Sequence, residues 1–94
     1  MEFKIQEKET DNKGSFYIER DGKRVAEMTF SKAGDDKIII DHTEVDDSLQ
    51  GEGAGKQLVE ASVHYARRKG IKILPLCPFA KATIEKNSDW HDVL

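Results

Sequence analysis

Short runs of alternating hydrophobic and polar residues occupy the first 43 residues and predict β-strands. Phe16 and Ile18 alternate with polar neighbours, with the period of two expected of a strand that buries one face. Glycine, aspartate and asparagine between the runs favour turns. The segment Arg20-Asp21-Gly22-Lys23 predicts a hairpin turn, Val25 to Phe30 the returning strand, and Ser31 to Asp36 a second turn. The first half of the chain is therefore predicted to be an antiparallel meander.

The pattern changes after residue 37. Ile38-Ile39-Ile40 is continuous rather than alternating, which is typical of a central strand buried on both faces. Farther along, apolar or small residues recur with a helical period. They are Leu58, Val59, Ser62, Val63 and Ala66. Gly70 is predicted to end this helix, directly after three basic residues that complement the helix dipole.

A second strand and a second helix are predicted to follow. Ile71 to Leu76 is mostly apolar, Pro78 interrupts it, and Phe79 to Asn87 can form a short helix. Residues 88–94 are expected to be a loosely attached tail that Trp90 can anchor. A strand, a crossover helix and another strand normally give a right-handed parallel pair. We therefore expect an α+β fold, with a mixed, mostly antiparallel sheet and a β-α-β-α C-terminal half.

The length and charge limit the kind of site. A chain of 94 residues predicts a single domain over residues 1–94, with a surface cleft rather than a deep enclosed site. The net charge of −3 gives no drive toward nucleic acid or an anionic membrane, and no apolar run is long enough to span a bilayer. The charge is uneven, because residues 1–55 carry −6 and residues 56–94 carry +3. The first half favours a cationic substrate and the second an anionic ligand.

The cysteine and histidine pattern adds two expectations. Cys77 is the only cysteine, and no secretory hydrophobic segment follows Met1, so we expect a reducing, cytoplasmic setting. No two of Cys77 and the three histidines, His42, His64 and His91, have the spacing of metal ligands. The sequence therefore predicts no metal site.

A glycine-rich turn precedes the first helix. It reads Gln50-Gly51-Glu52-Gly53-Ala54-Gly55-Lys56, and successive backbone N–H groups there can converge on an anion together with the helix dipole. Glycine permits positive φ and lets the backbone come close to phosphate oxygens. The turn is not a Walker A loop, which would need glycine at position 50 and serine or threonine at 57. The alternate glycines also differ from the dinucleotide-binding pattern of Rossmann folds.

The pattern Gln-x-x-Gly-x-Gly at Gln50, Gly53 and Gly55, after a strand ending near Val45, resembles the acyl-CoA signature of the GNAT acetyltransferase superfamily. The resemblance covers most of the chain. The small size and the motif Cys77-Pro78-Phe79-Ala80-Lys81 resemble the minimal, stand-alone YjdJ-type members.

The resemblance implies a three-layer α/β arrangement and acetyl-CoA as acetyl donor. It implies that the pyrophosphate lies on the turn amides and the pantetheine arm beside the strand that ends near Val45. Lys56 and Lys81 could each add a phosphate contact or be solvated. The implied cofactor-binding residues are Val45, Gln50, Gly51, Glu52, Gly53, Ala54, Gly55, Lys56 and Lys81.

Two residues are candidates for the chemistry. Many GNAT enzymes use a tyrosine on the last helix as an acid, but Tyr17 and Tyr65 lie elsewhere in this chain. Cys77 stands where the thioester sulfur should arrive, and it can be an acetyl-accepting thiolate, an acid for the departing thiol, or an inert buried cysteine. His42, at the carboxyl end of the core strand, suits a general base or is a hydrogen-bonded strand histidine. Both are expected to face one cleft if their strands are neighbours.

The leading hypothesis is an acetyl-CoA-dependent N-acetyltransferase that acts on a small-molecule or peptide amine, directly or through Cys77. The alternative is a non-catalytic acyl-CoA or CoA-binding module, which the missing tyrosine and the short chain favour. A third hypothesis is a partner-binding domain that keeps only the fold. The sequence carries no legible signal for the acceptor or for the oligomeric state.

Overall fold

A five-stranded mixed sheet forms the centre of the computed structural model, which describes residues 3–94. The strands are β1 (Gln6–Glu9), β2 (Lys13–Arg20), β3 (Lys23–Lys32), β4 (Lys37–Val45) and β5 (Lys72–Pro75). Their order in the sheet is β1-β2-β3-β4-β5, with antiparallel pairing up to β4 and parallel pairing between β4 and β5. The predicted α+β class, with its mixed and mostly antiparallel sheet, is confirmed.

Local sequence explains the two hairpin turns. Asp21 and Gly22 have φ values of 53° and 77°, and Arg20 pairs with Lys23 across them, as the sequence predicts. The second turn is shorter than predicted, since β3 continues to Lys32. Ser31 and Lys32 stay in the strand because they still pair with the isoleucines of β4.

Two α-helices follow β4 and β5: α1 (Ala54–Lys69) and α2 (Pro78–Lys86). Gly70 ends α1 with a φ of 68°, and its amide donates to the carbonyls of Ala66 and Arg67. The strand expected over Ile71 to Leu76 already ends at Pro75, and Pro78 starts α2, in the first turn where its missing N–H has no cost. Short 3₁₀ helices span Asp47–Leu49 and Ser88–Val93. Neither α-helix in residues 3–94 is long and apolar enough to cross a membrane.

The hydrophobic core lies on one face of the sheet. The strand residues that are at most 3% exposed share this face, because they pair with one another across neighbouring strands. They are Phe16, Ile18, Ala26, Met28, Phe30, Ile38, Ile40 and Ile73. Leu58 of α1 and Ile84 of α2 belong to the same cluster. The helices therefore cover this core face.

The opposite face of the sheet is open. Ile39 points to it and is only half-buried, so the expectation that all three isoleucines are buried on both faces is wrong for this residue. Leu74, its neighbour on β5, is 42% exposed. Since α1 and α2 both pack into the core, residues 3–94 form two layers, and the third layer that the resemblance implied is not among them. We call this surface the open face.

The tail is attached more firmly than the sequence suggests. Residues 88–93 form a 3₁₀ helix, in which Trp90 is 8% and Val93 2% exposed. Arg67 of α1 donates to both carboxylate oxygens of Asp92, at 3.1 and 2.8 Å. The expectation of a loose tail is wrong. Trp90 and Val93 have charged and polar neighbours in the sequence, so no hydrophobic pattern predicts that this segment is held by buried side chains. The anchoring role of Trp90 fits the structure.

We expect Trp90→Ala to lower the free energy of unfolding by about 3 kcal/mol, because a large buried side chain is replaced by a cavity. Leu94→Ala is the control, since Leu94 is 47% exposed, and should change it by less than about 0.5 kcal/mol. Urea unfolding followed by far-ultraviolet circular dichroism measures both. Equal stabilities for the two variants would show that residues 88–94 do not contribute to the core.

Candidate functional site

The loop after β4 is folded by its own side chains. Asp46 caps the 3₁₀ helix, since its carboxylate accepts from the Ser48 amide at 2.9 Å. Hydrogen bonds from the backbone amide and the side chain of Ser48 lower the pKa of Asp46. The Gln50 side chain donates to the Val45 carbonyl at 3.2 Å and so closes the loop. Gln50 thus brings the glycine-rich turn next to the end of β4.

Glycine is favoured at the three positions of the turn for two different structural reasons. Gly51 and Gly53 have φ values of 80° and 79°, a left-handed conformation that favours glycine. Gly55 has no positive φ. A Cβ on Gly55 would lie 2.6 Å from the Phe79 ring, so glycine is needed there for close packing of α1 against the start of α2. Positive φ and access for phosphate, the two reasons expected from the sequence, do not account for this contact of Gly55.

The turn presents a series of unused donors. Within residues 3–94, no backbone acceptor binds the amides of Gly51, Gly53, Ala54, Gly55 and Lys56. Gly53, the N-cap of α1, offers no side chain to them, and the first turn of α1 contains no acidic residue. Free amides and the positive end of a 16-residue helix favour a bound anion.

A cleft of about 420 Å³ lies in front of these amides. Its lining includes the predicted residues Val45, Gln50, Gly51, Gly53, Ala54, Gly55 and Lys56. Glu52 and Lys81 are not part of the lining. Sequence reasoning missed Thr43, Leu49 and Phe79, which complete the walls. The sequence feature that could have pointed to Phe79 is its position, two residues after Cys77. In the structure the Phe79 side chain is 46% exposed.

Strands β4 and β5 diverge beside this cleft. Their pairing ends at Ile40 and Pro75, and the amides of Leu76 and Cys77 both donate to the Ile40 carbonyl. From Asp41 to Val45, no strand among residues 3–94 pairs with β4 on that side. The two parallel strands therefore separate at their carboxyl ends, the edge at which open α/β sheets bind ligands.

Cys77 lies at the head of this opening, as the N-cap of α2 and only 7% exposed. Its Sγ is 3.4 Å from Thr43 Oγ1, and Thr43 also lines the cleft. Burial raises the pKa of the thiol, but hydrogen bonding from Thr43 and the nearby amides of Ala80 and Phe79 outweighs it. The net pKa of Cys77 is lowered, although no capping hydrogen bond of good geometry forms.

His42 does not face Cys77. It pairs with Thr29, whereas Thr43 pairs with the buried Met28, so these consecutive residues of β4 point to opposite faces of the sheet. His42 lies on the open face, 64% exposed, with Nε2 3.2 Å from Glu44 Oε1. The expectation that Cys77 and His42 face one cleft is wrong, and the partner of the His42 ring is Glu44 on the open face.

Other side chains of chemical interest lie elsewhere. Tyr65 donates to Glu9 at 2.7 Å, and Tyr17 stacks with Arg24, so neither tyrosine reaches the cleft. No group of three or more potential ligands within residues 3–94 could hold a metal ion. A larger groove of about 650 Å³ runs between α1 and the segment from Phe3 to Glu7, and its lining does not include Cys77.

A family model described as GCN5-related N-acetyl-transferase matches residues 15–93. The solution structure of a GCN5-like protein from Staphylococcus aureus is 39% identical, with a TM-score of 0.73 over 97% of this chain and 86% of that one. No curated protein matches in sequence.

Two more distant structures share the fold. The ribosomal-protein-alanine N-acetyltransferase of Brucella melitensis is 17% identical, with a TM-score of 0.66 over 83% of this chain and 62% of that one. A Bacillus anthracis structure determined with acetyl coenzyme A is 16% identical, with a TM-score of 0.58 over 70% of this chain and 39% of that one. The family match, together with the turn and the strand opening, leads to one conclusion. The chain belongs to the family of GCN5-related N-acetyltransferases, which use acetyl coenzyme A as acetyl donor.

Proposed function

We propose that the chain transfers an acetyl group from acetyl coenzyme A to a small-molecule or peptide amine, and that Cys77 takes part. One observation carries this proposal. The glycine-rich turn with its free amides lines the cleft, and Thr43, which also lines it, contacts the Sγ of Cys77, a residue outside the lining itself. An anion site in the cleft and a thiol of lowered pKa next to it suit a substrate with phosphate at one end and a thioester at the other.

The turn supplies the phosphate contacts. The amides of Gly51 and of Gly53 to Lys56 would hold the pyrophosphate, because no backbone acceptor within residues 3–94 binds them. Lys56 is exposed on the lining and adds a positive charge. Lys81 is exposed on α2, one turn after Cys77, where its long side chain can reach a phosphate outside the cleft.

The unpaired edge of β4 supplies the next contacts. Between Asp41 and Val45 this edge has backbone groups without a strand partner on the β5 side. The amide groups of a pantetheine arm are suitable partners for such an edge, and Val45 and Phe79 add apolar walls. The arm would then lead from the turn toward Cys77.

Cys77 is proposed as the nucleophile. Its thiolate attacks the acetyl carbonyl carbon, the new carbon–sulfur bond forms on Sγ, and the bond to the coenzyme sulfur breaks with release of the coenzyme thiolate. The acceptor amine then attacks acetyl-Cys77, which regenerates the Cys77 thiolate. The lowered pKa of Cys77 supports this role, because more thiolate is present at neutral pH. A reduced cysteine is also what a cytoplasmic setting maintains.

His42 is proposed as the base for the amine rather than for Cys77. It lies on the open face beside the same strand opening, and Glu44 holds its ring at 3.2 Å. An amine arriving from the open face would meet His42 before it reaches the gap between β4 and β5. His42 then accepts the proton that the amine loses on acetylation.

Within the family, the motif from Cys77 to Lys81 supports membership of the minimal YjdJ-type subgroup. The second candidate function is a non-catalytic CoA-binding module. One observation favours it: both tyrosines have partners away from the cleft, so no tyrosine acid stands there. Turnover separates the two candidates, since a binding module would release no thiol from acetyl coenzyme A.

We expect Gly53→Glu to weaken coenzyme A binding at least about tenfold, because it adds a negative charge beside the turn amides and strains a left-handed residue. Gly22→Glu is the matched control. Gly22 has a φ of 77° and open space around it, so the control adds the same charge and strain in a distant hairpin. Calorimetric titration with coenzyme A measures both variants. Equal weakening in both would place the phosphate elsewhere.

We expect the wild-type chain to gain one acetyl group on incubation with acetyl coenzyme A, and to lose it when an amine is added. Cys77→Ala should show no gain in intact mass and at least about a hundredfold lower amine-dependent thiol release. Because Cys77 is the only cysteine, the site of the adduct is unambiguous. Full turnover in Cys77→Ala would rule out the covalent route, and absence of turnover in wild type with a broad amine panel would favour the binding module.

We expect Thr43→Val to raise the pKa of Cys77, because the thiolate loses a hydrogen bond while the side chain keeps its shape. The alkylation rate of Cys77 with iodoacetamide, followed against pH, should fall as the pH drops through that pKa. In wild type the midpoint should lie below the ordinary cysteine value of about 8.5. Thr29→Val, on the open face, is the control and should keep the wild-type midpoint. An unchanged midpoint in Thr43→Val would show that Thr43 does not activate the thiol.

A further inference from the structure

We propose that the open face holds a second ligand site, separate from the glycine-rich turn, which takes a small phosphate monoester that also carries hydroxyl groups. The site is a cavity of about 450 Å³ on the strands before β5. We call it the hydroxyl pocket. The side chains that define it are Lys8, Lys13, Ser15, Glu27, Thr29 and Asp41.

The size of the side chains gives the hydroxyl pocket its shape. Lys8 pairs with Ser15, and Ser15 pairs with Thr29, so these residues form one row across three strands. Ser15 points to the open face, because its neighbour Phe16 belongs to the core. Longer side chains surround the serine and the threonine, namely Lys8, Lys13, Arg24 and Glu27. Two short hydroxyl side chains therefore form the floor, and long charged side chains form the rim.

Ser15 is a buried polar residue without a partner. It is 8% exposed, and its hydroxyl forms no hydrogen bond with any residue that the structure describes. No fully buried side-chain oxygen or nitrogen within residues 3–94 lacks a partner, so the Ser15 oxygen must open into the pocket. The half-buried Thr29 hydroxyl beside it has no side-chain partner in the described chain either. Because a hydroxyl withdrawn from water without a hydrogen bond is unfavourable, the floor of the pocket calls for a polar ligand.

The free charge next to this floor is positive. Neither Lys8 nor Lys13 forms an ion pair with another residue in the described part of the chain. Lys8 lies opposite Ser15, and Lys13 precedes Ser15 by two residues on the same face of β2, so both ammonium groups can reach the same hydroxyl. Two cations that converge on one point suit a single doubly charged group better than two separate carboxylates. A phosphate monoester is such a group, and lysine binds it as a point charge.

The carboxylates of the lining already have partners. Glu9 and Glu27 form ion pairs with a lysine and an arginine. Asp41 accepts from the Ser31 hydroxyl at 2.7 Å. Each carboxylate keeps further lone pairs, which can accept hydrogen bonds from neutral hydroxyl groups. The end of the ligand that faces them therefore carries hydroxyls, while its phosphate lies at the lysines.

An irregularity in β4 brings Asp41 to the hydroxyl pocket. Phe30 pairs with Ile40 and Thr29 pairs with His42, so Asp41 is an extra residue without a partner on β3. Asp41 therefore lies on the open face together with His42, and it closes the pocket on the β4 side.

The hydroxyl pocket is separate from both parts of the site described above. It shares no lining residue with the cleft of the glycine-rich turn. Leu74 and Leu76, which are 42% and 62% exposed beside the strand opening, do not line it. Its volume exceeds that of a phosphate ion, which leaves room for a carbon skeleton. A ligand held there is therefore neither the coenzyme nor a group in the gap between β4 and β5.

The test adds ribose 5-phosphate, inorganic phosphate or ribose to the chain and follows backbone amide chemical shifts. We expect ribose 5-phosphate to cause saturable shifts at Lys8, Lys13, Ser15 and Thr29, and to bind at least about fivefold more tightly than inorganic phosphate. Ribose alone should cause none. Saturable shifts confined to Gly51 to Lys56, or equal affinities for ribose 5-phosphate and inorganic phosphate, would overturn the proposal.

Matched variants locate the contacts. We expect Ser15→Ala to weaken ribose 5-phosphate binding about tenfold, because the phosphate loses a hydrogen bond at the floor. Lys13→Gln should weaken it about fivefold, and less at high salt. Ser88→Ala and Lys86→Gln are the controls, since both residues are exposed outside the pocket, and both should keep the wild-type affinity. Wild-type affinity in Ser15→Ala and in Lys13→Gln would place the ligand elsewhere.

This inference does not rest on the proposed acetyl transfer. Saturable shifts in the hydroxyl pocket of a chain that shows no turnover would still support it. Normal turnover without any shift in the pocket would overturn it and leave acetyl transfer in place.

Discussion

The extra residue at Asp41 exchanges the two faces of β4 halfway along the strand. Up to Ile40, even-numbered residues point into the core, whereas beyond it Thr43 and Val45 do so. Thr43 can contact Cys77 only because of this exchange. At the same point β4 separates from β5, since the pairing between these two strands ends at Ile40. The position of Thr43 in the cleft wall, its contact with Cys77 and the placement of His42 all depend on this single irregularity.

The two ends of the cleft are also coupled mechanically. Phe79 packs against Gly55 with no room for a Cβ, so the start of α1 and the start of α2 hold each other in position. The start of α1 carries the free amides, and the start of α2 carries Cys77. A displacement of one helix therefore changes the distance between the anion site and the thiol. Gly55 contributes rigidity to the site rather than backbone freedom.

Most of the fold could be predicted from the sequence, since alternation, helical periodicity and Gly70 are local signals. The glycine-rich turn could be predicted for the same reason. The relation of His42 to Cys77 could not, because a strand without the extra residue would place His42 on the same face as Ile38 and Ile40. Val93 was missed as a core residue although Trp90 was expected to anchor the tail, since burial in a short segment rich in polar residues depends on α1 and α2. Thr43 and Phe79 line the cleft through tertiary contacts that leave no periodic pattern.

The edge formed by β5 has a consequence for how the chain behaves among its own copies. A sheet edge with free N–H and C=O groups invites another strand to pair with it, above all when apolar side chains are exposed nearby. Here the edge is four residues long and ends in Pro75, which has no N–H to offer, and the chain then turns into α2. Lys72 at its start adds a charge and holds the tail through the Asp92 carbonyl. The protein can thus leave Leu74 and Leu76 uncovered without providing a template for polymerisation.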